Sequence, residues 1–139
     1  MREDVGIILL NNKNKVLLQL RDNNVDIEFP NCWVIFGGEV NEKEKPRDAL
    51  KRELLEEIEL KLDNFDFFGN YYYKDQRKQH IFFSRCNLDT TKIKLHEGAD
   101  LRFFSRNELD KIKLGFNMEE VLKIFFDKLE NGKIRKNNR

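Results

Sequence analysis

The 139-residue chain predicts a fold that mixes a sheet with helices, of the α/β or α+β class. Three observations carry that expectation. Short apolar stretches recur at residues 5–10, 15–20, 32–36, 65–74, 79–86 and 101–104, with the alternation or continuous apolar run that strands show. Residues 46–60 and 117–131 instead repeat apolar side chains at helical spacing. Twelve Phe residues supply volume for an interior between these layers.

This length suits one domain, residues 1–139, with a core of ordinary size. A net charge of +1 gives no overall attraction to nucleic acid or anionic membranes. No apolar run approaches the ~20 residues needed to span a bilayer. The first ten residues, MREDVGIILL, are too few and too acidic for a secretion signal. Cys32 and Cys86 form neither a metal spacing nor a disulfide framework, which fits a reducing cytoplasm. Charge is unevenly spread: residues 39–59 hold eight acidic and five basic side chains, while 131–139 hold four basic and none acidic. That basic end reads as a solvated, frayed terminus rather than a nucleic-acid arm.

Residues 5–10 and 15–20 flank Asn11-Asn12-Lys13-Asn14 and predict a β-hairpin. Residues 21–31, with Asp22, Asn23, Asn24 and Pro30, read as an exposed loop that either contacts a ligand or simply connects. Residues 32–36 form a short strand leading into Gly37-Gly38, and Trp33 suits the core better than stacking on a base. Beyond the first helix, 65–74 and 79–86 alternate aromatic and polar residues about Asp75-Gln76-Arg77-Lys78, a second hairpin. Tyr71, Tyr72 and Tyr73 cannot share one face of a strand, and His80 reads as a strand residue. After the strand at 101–104, Ser105 and Glu108 match a capping box that opens a short helix through Lys111. The final helix, 117–131, has Asn117 and Glu120 as a second cap pair and Gly132 as its stop. Its buried face is Met118, Val121, Leu122, Phe125 and Leu129, and its expected task is to cover the sheet.

Chemistry concentrates in residues 37–60, GGEVNEKEKPRDALKRELLEEIEL. On a helix, Glu53, Glu56 and Glu57 stand at i, i+3 and i+4, in one sector beside the apolar stripe Leu50, Leu54 and Ile58. Like charges so placed repel by a few tenths of a kcal/mol, so carboxylates gathered beside a buried face call for a cation. Oxygen-only ligands favour Mg²⁺ or Mn²⁺ over zinc or copper. Gly37 and Gly38 let main chain approach a ligand closely. Pro46 suits the first helical turn, whereas Lys45 is a poor N-cap. Arg52, beside Glu53 and four residues before Glu56, is placed to hold carboxylates.

The spacing of Gly38, Glu44, Arg52-Glu53, Leu54 and Glu56-Glu57 resembles the box of the Nudix hydrolases. The box ends in Gly and an aliphatic residue, and here those places hold Glu59 and Leu60; Phe36 stands where the family often has Pro. A left-handed Glu59 would cost on the order of 1 kcal/mol, which predicts that the helix runs on through Leu60 or ends differently. Glu97, followed by 101–104 and Glu108-Leu109, resembles a further family segment, in which that Glu is a general base, an additional metal ligand, or missing. The resemblance covers most of the chain. It implies an α/β/α sandwich with a mixed β-sheet between helices.

It also implies Mg²⁺- or Mn²⁺-dependent hydrolysis of a nucleoside diphosphate linked to another moiety. Glu53, Glu56 and Glu57 would hold the metal, with a carbonyl of Gly37 or Gly38. Glu53 or Glu97 would take the proton from the attacking water, and Arg52 and Glu44 would orient the ligands. The alternative is a non-catalytic module that binds a nucleotide or sugar phosphate. Three mutually repelling carboxylates argue against it. Subfamily marks are missing: Asp75 lies where an ADP-ribose type often has Pro, and Gln76, Arg77 and Lys78 where a dinucleoside polyphosphate type often has Tyr. A coenzyme A motif is absent too. Elimination leaves nucleoside triphosphates, ordinary or oxidised, and nucleotide sugars. The expected partner is a small nucleotide, with no nucleic acid or membrane; homodimers are common in the family.

Overall fold

The computed structural model describes residues 1–134, and the basic residues Arg135, Lys136 and Arg139 lie outside the described residues. Ile134, within the stretch 131–139 expected to fray, is buried in the core cluster that also holds the last helix. Ten main elements run β1 (Arg2–Leu10), β2 (Val16–Leu20), β3 (Trp33–Val34), β4 (Phe36–Glu39), α1 (Pro46–Ile58), β5 (Asp66–Tyr73), β6 (Arg77–Arg85), β7 (Asp100–Phe104), α2 (Arg106–Leu109) and α3 (Met118–Glu130). A 3₁₀ turn at Thr90–Lys92, capped by Asp89, was not foreseen from the sequence.

The seven strands form one mixed sheet around β1. Its partner β6 is parallel along the whole length, from Arg2↔Arg77 to Leu10↔Arg85, and β2 and β4 are antiparallel. Such a parallel pair needs a long crossover, and α1 lies within it. The apolar run of β1 is buried on both faces, and its two-residue period divides the core. Val5, Ile7 and Leu9 join Leu17, Phe36 and Phe82 against Ala49, Leu50, Leu54 and Ile58 of α1. Ile8 and Leu10 join Val16, Leu18, Ile81 and Phe104 against Val121, Leu122, Phe125, Phe126 and Leu129 of α3. Each fully buried aliphatic or aromatic side chain contributes roughly 1.5–3 kcal/mol on leaving water. This is the α/β/α arrangement.

Several boundaries differ from expectation, each for a visible reason. β1 starts at Arg2, because pairing with β6 recruits polar residues that carry no apolar signal. Residues 32–36 divide: Trp33 and Val34 pair with β2, while Phe36 pairs with β1 and carries both glycines into a strand. There a Cβ on Gly37 would stand 2.0 Å from the Val5 carbonyl oxygen. Gly37→Ala is expected to destabilise the protein by about 2 kcal/mol or more, read from urea unfolding; parental stability would mean that the β1–β4 pairing is looser than described.

α1 stops at Ile58 rather than running through Leu60. Glu59 takes the left-handed conformation (φ 54°), with its N–H on the Leu55 carbonyl and that of Leu60 on the Leu54 carbonyl. The capping box of α2 forms as expected, but the helix ends at Leu109. Asn117 makes no cap bond to α3. Its amide exchanges two hydrogen bonds with buried Gln79 instead, at 2.6 and 3.0 Å, a long-range pairing that outcompetes the local one.

Candidate active site

The helical period of α1 sorts its three central carboxylates by depth. Glu57 falls on the buried side with Leu50, Leu54 and Ile58 and is 3% exposed. The Glu53 side chain, at the border, is 14% exposed, and that of Glu56, on the outer flank, 58%. Glu53 and Glu57 face a cleft of about 480 Å³, together with Gly37, Gly38 and Glu97. Glu56 is not among the residues that line it. The cleft's lining residues from β1, Arg2, Asp4, Val5 and Gly6, belong to the end of that strand that pairs with β4 over Asp4–Ile7.

Arg52 organises the carboxylates from behind. Its Nε and Nη2 donate to Glu44 at 2.9 and 3.0 Å, a bidentate fork, and Nη2 also donates to the Glu39 carbonyl at 2.9 Å. Its Nη1 donates to Glu53 at 2.9 Å and reaches Glu56 at 3.3 Å. Hydrogen bonding to Arg52 holds the Glu44 carboxyl below its ordinary value. For Glu53 burial outweighs the same guanidinium and pushes the pKa up. Gly38 lies flat against this carboxyl, since a Cβ there would meet its atoms at 2.4–2.6 Å.

Glu57 is in a different condition. Burial, with the neighbouring charges of Glu53 and Glu97, pushes its pKa up to about 9, although the Gly37 N–H donates to it. Its Oε2 is the one buried side-chain polar atom without a hydrogen-bond partner among the described residues. No group of three or more His, Cys, Asp or Glu side chains is closed up to metal-ligating spacing among those residues. Arg52 already neutralises Glu53 and Glu56 from the side. The orphaned Glu57 oxygen and an all-carboxylate donor set nevertheless fit a hard divalent cation.

Glu97 reaches the cleft on the connection from β6 to β7. The His96 N–H donates to the Glu57 carbonyl and the Ala99 N–H to the Leu20 carbonyl, both at 2.8 Å. Between them Gly98 is left-handed (φ 86°), and a Cβ there would stand 2.8 Å from the Leu20 oxygen. His96 Nε2 lies 2.5 Å from Glu59 Oε2.

Of the other lining residues, only the 21–31 loop with Asp22 had ligand contact among its readings in the sequence. Arg21, Asp22 and Ile27 bring the 21–31 loop to the cleft, and Met118 brings the start of α3, a helix expected only to cover the sheet. Arg2 and Arg77 line it as well, in an ion-pair network with Asp4, Glu28 and Glu39. Gln19 and Gln79 are buried polar residues in strands, and a Gln inside VLLQL was the one legible sign. Trp33 packs edge-on against Phe104 and does not line the cleft. His80 pairs with Glu3 at 2.7 Å.

A model of the NUDIX domain matches residues 1–125. The chain belongs to the Nudix family. Over 60 residues this Nudix chain is 48% identical to the m7GpppN-mRNA hydrolase NUDT17 of Danio rerio, 42% of the chain and 20% of the relative. Over 68 residues it is 42% identical to an RNA pyrophosphohydrolase of Pseudomonas putida, 49% of the chain and 39% of the relative. It thus spans well under half the length of these curated relatives. Its fold is similar to that of a MutT protein from Methanosarcina mazei Go1, with a TM-score of 0.74 at 21% identity over 96% of both chains.

Proposed function

We propose that this Nudix domain, residues 1–139, hydrolyses the pyrophosphate bond of a nucleoside diphosphate linked to another moiety, with Mg²⁺ or Mn²⁺ as cofactor. The observation that carries the reading is the Glu57 carboxyl, buried in the cleft with one oxygen unpartnered and its charge opposed by Glu53 and Glu97. Leaving such a group unsatisfied costs about 1–3 kcal/mol, a penalty that a ligand relieves. Glu53, Glu56 and Glu57 would hold the cation, with a carbonyl of Gly37 or Gly38. When bound, the cation supplies neutralisation of charge on the non-bridging phosphate oxygens.

The chain's own groups do the rest. Glu97, exposed at the cleft, or Glu53 accepts the proton of the attacking water. Arg52 and Glu44 hold Glu53 in one orientation. The guanidiniums of Arg2, Arg21 and Arg77 offer donors for phosphate within the same cleft, whose volume suits a nucleotide. The substrate class is a nucleoside triphosphate, ordinary or oxidised, or a nucleotide sugar. The names of the two curated relatives, an m7GpppN-mRNA hydrolase and an RNA pyrophosphohydrolase, extend the class to a pyrophosphate link carried at an RNA end. A net charge of +1 favours recognition of that end over binding along the strand. Free Cys32 and Cys86 accord with a cytoplasmic setting, and among the described residues no helix is long and apolar enough to cross a membrane.

The test is pyrophosphate and phosphate release from dNTPs, oxidised dGTP, nucleotide sugars, ADP-ribose and a 5′-triphosphorylated RNA, each with Mg²⁺ or Mn²⁺. Turnover of at least one substrate is expected, together with a cation-dependent rise in Tm worth about 2.7 kcal/mol at a hundredfold excess over Kd. Glu97→Gln is expected to lower kcat by at least about tenfold. A cation-dependent Tm rise without any turnover would identify a binding module instead. No turnover and no Tm rise would sink the metal site as well.

A further inference from the structure

We propose that Glu59 and His96 are positioning residues that hold Glu97 at the cleft, an inference that rests on the reading of Glu97 as a catalytic group. The starting observation is a strained backbone kept where relief is simple. Glu59 is left-handed at φ 54°, a conformation that Gly adopts without strain and Glu does not. The chain nevertheless keeps a carboxylate there, and its Oε2 lies 2.5 Å from His96 Nε2. Both side chains are about half exposed, at 52% and 50%, so the pair adds little to stability.

Its effect is geometrical. Residue 96 is tied to α1 twice, by its backbone N–H on the Glu57 carbonyl and by its ring on the Glu59 carboxylate. Glu97 follows at once. Two residues further, the Ala99 N–H is fastened to the Leu20 carbonyl at the end of β2. Glu97 therefore sits in a short bridge with one end clamped to the helix that carries Glu53 and Glu57 and the other to the sheet. Without the ring contact, the α1 end of that bridge hangs on one backbone hydrogen bond. A group that must meet a water in line with a leaving group loses rate steeply when displaced, up to about a hundredfold per ångström.

Glu59→Gly separates this role from a structural one, because it removes the contact while relieving the strain. In the full chain without cation, Tm is expected unchanged or raised, while hydrogen–deuterium exchange of amides 96–99 speeds up about tenfold. With the substrates of the panel above, kcat falls about fivefold and KM stays put. His96→Ala behaves alike, and the double variant is no worse than either single one. Glu59→Gln keeps an acceptor for the ring and retains near-parental exchange and kcat. In a Glu97→Gln background, Glu59→Gly costs nothing further. Parental exchange and kcat in Glu59→Gly, or an undiminished effect in the Glu97→Gln background, would overturn the inference while leaving the catalytic reading intact. A parental kcat for Glu97→Gln alone would overturn both.

Discussion

Glu57→Gln lowers kcat by at least about a hundredfold while leaving the protein folded. Gln is nearly isosteric with the protonated carboxyl, the dominant form of Glu57 at neutral pH when no cation is present, since its pKa is pushed up to about 9. The amide can still accept the Gly37 N–H, so packing beside Leu54 and Ile58 survives. What it cannot supply is an anionic ligand. At ~1.4 kcal/mol per tenfold, a hundredfold loss corresponds to about 2.7 kcal/mol. Steady-state rates at saturating Mg²⁺ and circular dichroism melts in EDTA check both halves. A loss below about tenfold would count against Glu57 as a ligand, and a variant that unfolds would leave it a packing residue. Glu56→Gln is expected to cut turnover by orders of magnitude as well, despite its exposed position. A parental rate there would leave Glu56 as no more than a partner of Arg52.

Raising the pH in EDTA destabilises the parent protein between about pH 5 and pH 9, and Mg²⁺ restores stability by an amount that grows with pH. Glu57 ionises near 4.5 in the unfolded chain and at about 9 in the folded one. Between these values the folded chain holds a proton that the unfolded chain has lost. Each pH unit there removes up to ~1.4 kcal/mol, on the order of several kcal/mol in all. The contribution is fully present below pH 4.5 and gone above about 9. Carboxylates held low, Glu44 by Arg52 and Asp127 by Arg106, work in the opposite sense and lose their contribution only as the pH falls below the ordinary carboxylate range. Stability therefore peaks in mild acid. A bound cation favours the ionised carboxylate and cancels the alkaline loss. Melts from pH 5 to 9, with and without Mg²⁺, test this. Glu57→Gln should lose most of that slope, keeping only the part that Glu53 contributes through its own burial, and in EDTA at pH 8 it should melt above the parent. A parent with no steeper slope than Glu57→Gln in EDTA would refute the buried carboxyl as the cause.

Much of this was legible in the linear chain because it depends on residues close together in it. The i, i+3, i+4 spacing of Glu53, Glu56 and Glu57, Pro46 at the start of α1, the Ser105–Glu108 capping box and the alternating strands are all local patterns, and the family signature is local too. Long-range competition governed the rest. Asn117 had a correct local role as a cap and lost it to Gln79, 38 residues away. Glu59 was expected to carry the helix onward or to end it without a left-handed turn, but it is left-handed, the Leu54 and Leu55 carbonyls close the last turn and His96 receives the side chain. Which of three similar carboxylates lies buried, which sits at the border and which faces water was decided by docking α1 on the sheet, because burial belongs to a surface shared by distant segments. The sequence alone determined that acids gather on one helix. Tertiary packing decided that one of them is left with an oxygen unpaired.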